Sequence, residues 1–83
     1  MTYTLLYTKS AQKDIQKLDI IAKKKIRKKL EQLAMNPTKL AKKLHNSSLG
    51  SYRLRVGNYR IIFDLQGNDI IILRAGHRRE VYK

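Results

Sequence analysis

Two short stretches carry side chains able to work on a phosphodiester: YRLRVGNYR at positions 52–60 and GHRREVY at positions 76–82. Arginine is a planar fork that grips phosphate through two parallel hydrogen bonds. Histidine moves protons near neutral pH, and a tyrosine ring stacks on a base. Arg78, Arg79, His77 and Tyr82 together with Arg53, Arg55 and Arg60 therefore form a set suited to cutting RNA without a metal. RNA brings its own nucleophile, the 2′-hydroxyl. A base must take its proton, cations must stabilise the charge growing on phosphorus, and an acid must protonate the departing 5′-oxygen. No metal or other cofactor is expected, because the two histidines lie far apart, cysteine is absent, and no paired carboxylates flank the arginines. The competing view of the C-terminal stretch is a solvated, fraying tail.

The arginines need a common face to act together. With Gly57-Asn58 as a two-residue turn, Val56 faces Tyr59, Arg55 faces Arg60 and Arg53 faces Ile62. Strand alternation then gathers Arg53, Arg55 and Arg60 on one side and sends Leu54, Ile61 and Phe63 to the other. Like charges directly opposed on neighbouring strands destabilise a sheet by roughly 0.2–1 kcal/mol. A pair such as Arg55 and Arg60 points to an anion that offsets this; the alternative is a solvated face with splayed side chains. Residues 76–82 leave the last strand and are expected beside this face.

The remaining sequence must build the sheet that holds these groups. TYTLLY (2–7) is aromatic and β-branched and reads as a strand. Thr8 can cap a short helix with Ala11, Ile15 and Leu18 on its apolar side. Asp19 can cap a second, with Ala22, Ile26, Leu30 and Leu33 inward, closed at Pro37. The short link between them predicts an antiparallel helical pair. Leu40, Leu44 and Leu49 are expected to anchor a connecting segment. GN at 57–58 and QGND at 66–69 then separate three antiparallel strands over about 51–56, 59–65 and 70–75. The order β-α-α-β-β-β describes one α+β domain over residues 1–83, with the helices on one sheet face.

Charge narrows the partners. Nineteen basic residues against six acidic ones leave a net charge of +13 and a pI near 10.4. Such a chain repels itself and attracts polyanions: nucleic acid first, an acidic protein second, an anionic membrane surface third. Lysine fills the first half, including Lys24, Lys25, Lys28 and Lys29 on the second helix, while arginine dominates after residue 50. The lysines read as a general field and the arginines as specific contacts. The absence of cysteine suits a reducing compartment, no apolar run approaches a membrane span, and MTYTLLYTKS lacks the pattern of a signal peptide, so a cytoplasmic protein is expected. At 83 residues its core is thin, burying about 60–65% of the unfolded surface.

YRLRVGNYRIIF, followed by a hairpin and HRREVY, resembles the RelE/ParE superfamily of toxin–antitoxin systems. The resemblance spans nearly the whole chain. It implies a small RelE-like fold that cuts mRNA in the ribosomal A site, against 16S rRNA, and a cognate antitoxin, small and acidic in its toxin-binding part, that covers the basic face. By resemblance, Arg60 holds the scissile phosphate, Arg78 contacts phosphate and assists the leaving group, and Tyr82 stacks on the RNA; Arg79 can exchange roles with Arg78. Arg53 and Arg55 stand where the best-known RelE branch has two lysines. Since arginine does not deprotonate, the proton acceptor falls to His77 first and Glu80 second. Lys24, Lys25 and Lys28 are expected to meet ribosomal RNA. His45 reads as a surface residue, Tyr52 and Tyr59 as packing groups, and Arg74 is open between the two faces. Two other functions remain compatible with the sequence: a ParE-type gyrase inhibitor sharing the fold, and a non-catalytic RNA-binding module.

Overall fold

A computed structural model describes residues 2–44 and 50–81. The chain runs β1 (Thr4–Tyr7), α1 (Lys9–Gln16), α2 (Ile20–Met35), α3 (Pro37–Leu40), β2 (Lys42–Lys43), β3 (Tyr52–Val56), β4 (Tyr59–Gln66), β5 (Asp69–His77) and α4 (Arg78–Val81). The strands form one sheet in the order β1-β5-β4-β3-β2, with β1 parallel to β5 and the other pairs antiparallel. The expected α+β order holds, with α3, β2 and α4 added.

Both main helices start where a short polar side chain can satisfy an exposed backbone donor. Thr8 Oγ1 accepts from the Ala11 amide at 3.1 Å, and Asp19 Oδ1 accepts from the Ala22 amide at 2.7 Å. Helix α2 then buries Ala22, Ile26, Leu30 and Leu33, the stripe its spacing predicts. Pro37 ends α2 but also opens α3, since a proline at the first helical position loses no hydrogen bond. Of the expected connector anchors, Leu40 is exposed, Leu44 is half-buried, and Leu49 lies outside the described residues.

The core lies between the helices and one sheet face. Ala11, Ile26, Leu30 and Leu33 meet Leu54, Ile61, Phe63, Ile70, Ile72 and Ala75, with Ile15 and Leu18 packed at the margin. Tyr52 stacks on Phe63 at 5.4 Å between ring centroids. Both hairpins turn through a glycine at positive φ, Gly57 at 59° and Gly67 at 58°.

Helix α1 takes over the edge of β5 where β1 stops. The Thr8 amide donates to the Ile72 carbonyl at 3.1 Å, and the Thr8 hydroxyl donates to the Leu73 carbonyl at 3.1 Å. Six residues later, Asp14 accepts from the Ala75 amide at 3.1 Å and from Arg74 Nε at 2.6 Å and its terminal nitrogen at 3.2 Å. The end of β5, from which the C-terminal residues depart, is thereby anchored to α1.

Candidate active site

The β3–β4 register is the expected one: Val56 pairs with Tyr59, Arg55 with Arg60 and Arg53 with Ile62. Arg53, Arg55 and Arg60 share the sheet face turned away from the helices, at three different depths. Arg55 is exposed, Arg53 is half-buried, and Arg60 is only 5% exposed. The Arg60 guanidinium folds back onto the turn, where one terminal nitrogen donates to the Gly57 carbonyl at 2.7 Å and the Tyr59 carbonyl at 2.9 Å.

This face is bounded on two sides. At one end the chain at Gly50 crosses it so closely that a Cβ there would meet Ile62 Cγ2 at 2.6 Å and Leu73 Cδ1 at 2.8 Å. The crossing helps exclude water from Ile62, and the Ser51 amide ties it down by donating to Asp64 Oδ1 at 2.8 Å. At the other end Gly76 pairs with Arg60, and α4 folds back over it. Val81 Cγ2 lies 3.6 Å from where a Cβ on Gly76 would sit, and Val81 is buried. The Arg78 amide donates to the Asn58 carbonyl at 2.9 Å, fixing the start of α4 to the β3–β4 turn. Arg78 and Arg79 are exposed, and Tyr82 lies outside the described residues.

His77 takes a different place from the one expected. Strand β5 continues to residue 77, where His77 pairs with Tyr59, a residue packed against the core. Its ring meets Tyr59 edge-on at 5.9 Å and 79°, and Nδ1 accepts from the Arg79 amide at 3.3 Å. The imidazole borders an open cleft of about 320 Å³ on the helix side of the sheet, with Asp14, Lys17, Arg74 and Glu80. His77 and Glu80, the expected proton acceptors, thus line a cleft across the sheet from Arg53, Arg55 and Arg60. Arg74 turns to α1 because a bulge sets both Leu73 and Arg74 against Ile62. Its pKa is held above the usual guanidinium value chiefly by the hydrogen bond to Asp14, against the lowering effect of burial, with smaller upward contributions from the negative charges of Asp14 and Glu80.

Lys24, Lys25 and Lys28 are exposed on α2, whose apolar stripe faces the sheet. They consequently point away from the arginine face, and the two sets of cations cannot grip one short RNA segment together. A second groove, about 660 Å³, runs between β1, α1 and α2 with Leu5, Ile15, Ile26 and Leu30 in its lining and Lys23 and Arg27 among its charges. His45 is outside the described residues. Among the described residues, no cluster of three or more His, Cys, Asp or Glu could hold a metal, and no helix is long and apolar enough to cross a membrane.

Sequence reasoning missed the burial of Arg60, the Asp14–Arg74 pair and the close approach at Gly50. Only the last had a signal, a glycine just ahead of a strand, and such glycines usually mark loops.

Comparison with known proteins gives concordant results. The model of the ParE toxin of the type II toxin–antitoxin system parDE matches residues 5–82. Toxin RelE3 of Methanocaldococcus jannaschii is 33% identical over 82 residues, covering 94% of this chain and 93% of that protein. Toxin RelG of Mycobacterium tuberculosis is 29% identical over 86 residues, covering 100% of this chain and 99% of that one. The crystal structure of the toxin–antitoxin complex RelBE2 from Mycobacterium tuberculosis contains a chain that superposes with a TM-score of 0.85 at 26% identity, covering 94% of this chain and all of that one.

Proposed function

The chain belongs to the RelE/ParE superfamily of type II toxin–antitoxin toxins, and from that premise we propose that it is a ribosome-dependent, metal-independent endoribonuclease that cuts mRNA in the A site. The observation that carries this reading is the arginine face: Arg55 exposed opposite Arg60, with the backbone of Arg78 tied to the same turn. A scissile phosphate seated there would meet guanidinium groups from β3 and α4 at once. Arg55, Arg53 and Arg78 would grip its oxygens, and Arg79 would extend the positive surface along the RNA.

The step begins with attack of the 2′-oxygen on phosphorus and ends with departure of the 5′-oxygen. Held guanidinium groups lower the barrier by stabilising charge on the phosphoryl oxygens as it develops, without the reorganisation that water would need. They do not accept the 2′-proton, since arginine stays charged. With His77 and Glu80 on the far side of the sheet, water takes the 2′-proton and water protonates the departing 5′-oxygen, while the chain contributes charge stabilisation and alignment. By the family resemblance, stacking of Tyr82 on a base would hold the RNA in line.

The exposed lysines of α2 are assigned to ribosomal RNA rather than to the cut strand, because they face the opposite way. A cognate antitoxin is the second partner, as in the RelBE2 toxin–antitoxin complex. The groove between β1, α1 and α2, apolar at Leu5, Ile15, Ile26 and Leu30 and charged at Lys23, Arg27 and Glu31, suits an apolar segment with acidic residues opposite Lys23 and Arg27.

A gyrase poison is the second reading, favoured by the ParE name of the matching family model. Ribosomes programmed with a defined mRNA separate the two. The chain should cut within the A-site codon in the presence of a chelator, and Arg55→Ala and Arg78→Ala should each slow cutting by about 10²–10³-fold. Undiminished cutting in both variants would remove the arginine face from the mechanism. No cutting by the wild-type chain, with inhibition of gyrase, would establish the second reading.

A further inference from the structure

Arg60 is buried, and its guanidinium is bonded inside the protein. A residue that grips a substrate phosphate directly should present its fork to solvent, as Arg55 does. Arg60 instead spans the turn from beneath. One nitrogen holds the carbonyls of Gly57 and Tyr59, the residues on either side of Asn58. The carbonyl between them, on Asn58, accepts the Arg78 amide at 2.9 Å. The cross-strand partner of Arg60 is Gly76, on which Val81 of α4 packs. Two attachments of α4 to the sheet, the Asn58 carbonyl at its start and the Gly76 floor at its end, therefore lie next to Arg60.

We propose that Arg60 is a positioning residue: its guanidinium locks the β3–β4 turn so that the Asn58 carbonyl captures the Arg78 amide, which sets where Arg78 and the residues after it meet the RNA. This deepens the nuclease reading above and rests on it for the consequence, though not for the lock itself. A Gly-Asn turn forms without such help, because Gly57 adopts positive φ readily. What the turn alone does not fix is the tilt of the Asn58–Tyr59 peptide that leaves it. Two hydrogen bonds from a charged donor, roughly twice as strong as neutral ones, hold the flanking carbonyls and leave the Asn58 oxygen aimed outward. The retained positive charge also lies beneath the phosphate site, adjacent to Arg55.

Two measurements on the full chain test this. The first is amide hydrogen exchange followed by NMR. Arg60→Ala should speed exchange of the Arg78 amide by about tenfold or more, while amides of the β5 core such as Ile70 and Ile72 keep their protection. Arg60→Lys keeps the charge on a shorter side chain, whose ammonium reaches the two carbonyls less fully, so it should fall between wild type and Arg60→Ala; it also carries the test if Arg60→Ala does not fold. Unchanged Arg78 exchange in a folded Arg60 variant overturns the proposal. The second is a double-mutant cycle in ribosome-dependent cutting. If Arg60 acts through Arg78, Arg60→Ala in an Arg78→Ala background should cost no more than about threefold further. Losses that multiply would make Arg60 an independent phosphate contact and overturn the proposal. Absence of cutting by wild type, with the exchange result as expected, would reject the nuclease reading and leave the lock standing.

Discussion

Asp14 is the polar joint between α1 and the end of β5, and Asp14→Ala tests how much that joint contributes. Its carboxylate serves three donors: the Ala75 amide, Arg74 Nε and the Arg74 terminal nitrogen. Ala75 is 1% exposed, so water does not readily replace the lost acceptor, and a buried donor without a partner costs about 1–3 kcal/mol. The Arg74 side chain is 38% exposed and rehydrates, so losing the ion pair adds only about 0.2–1 kcal/mol. Alanine returns roughly 0.5 kcal/mol through its better helix propensity. The net loss is about 2 kcal/mol, which in a domain of this size lowers the melting temperature by roughly 8–16 °C. Asp14→Asn keeps one acceptor for the Ala75 amide and should cost about half as much. Urea unfolding followed by circular dichroism measures both. A loss below about 0.5 kcal/mol for Asp14→Ala, or equal losses for the two variants, would refute the reasoning. Because Asp14 lies on the helix side, cutting measured where the variant is folded should stay within about threefold of wild type.

Three further outcomes are expected. Gly50→Ala should cost about 1–3 kcal/mol, since the tip of Leu73 can yield but the β-branched Ile62 cannot; a change within experimental error in denaturant unfolding would contradict the close crossing. The Tyr7 phenol is raised by burial, against a smaller pull from Arg27, so folding binds its proton more tightly than the unfolded chain does. That contribution is complete below about pH 10 and is lost as pH rises through the higher folded value, so Tyr7→Phe should flatten the alkaline fall in stability; an equally steep fall in both proteins would count against it. Replacing Lys24, Lys25, Lys28 and Lys29 together by glutamine should weaken ribosome binding and flatten its salt dependence, whereas an unchanged slope of affinity against salt would exclude those lysines from the contact.

The features legible in the sequence were those set by neighbours along the chain. Thr8 and Asp19 cap their helices because capping needs only the next few residues. The pairing of Arg55 with Arg60 follows from the Gly57-Asn58 turn, since a two-residue loop fixes register. Features that depend on distant packing were not legible. Two lysines with no apolar alternation give no strand signal, yet Lys42 and Lys43 pair with β3. The bulge at Leu73 could not be read from an apolar run, and it decides where Arg74 points. Alternation told which face Arg60 occupies but not its depth, which the nearby turn carbonyls determine. His77 shows how one extra strand pair changes a site. A strand ending at residue 75 leaves the imidazole free to join the arginines, whereas pairing up to Tyr59 commits it to the helix side.

The central claim is that this toxin cuts translated mRNA, and mapping mRNA 5′ ends after inducing the chain in cells tests it most directly. New ends should accumulate inside open reading frames at one fixed position within the codon, only on translated messages, and should vanish with Arg78→Ala. Intact messages accompanied by a DNA-damage response would contradict the account and assign the toxin to gyrase.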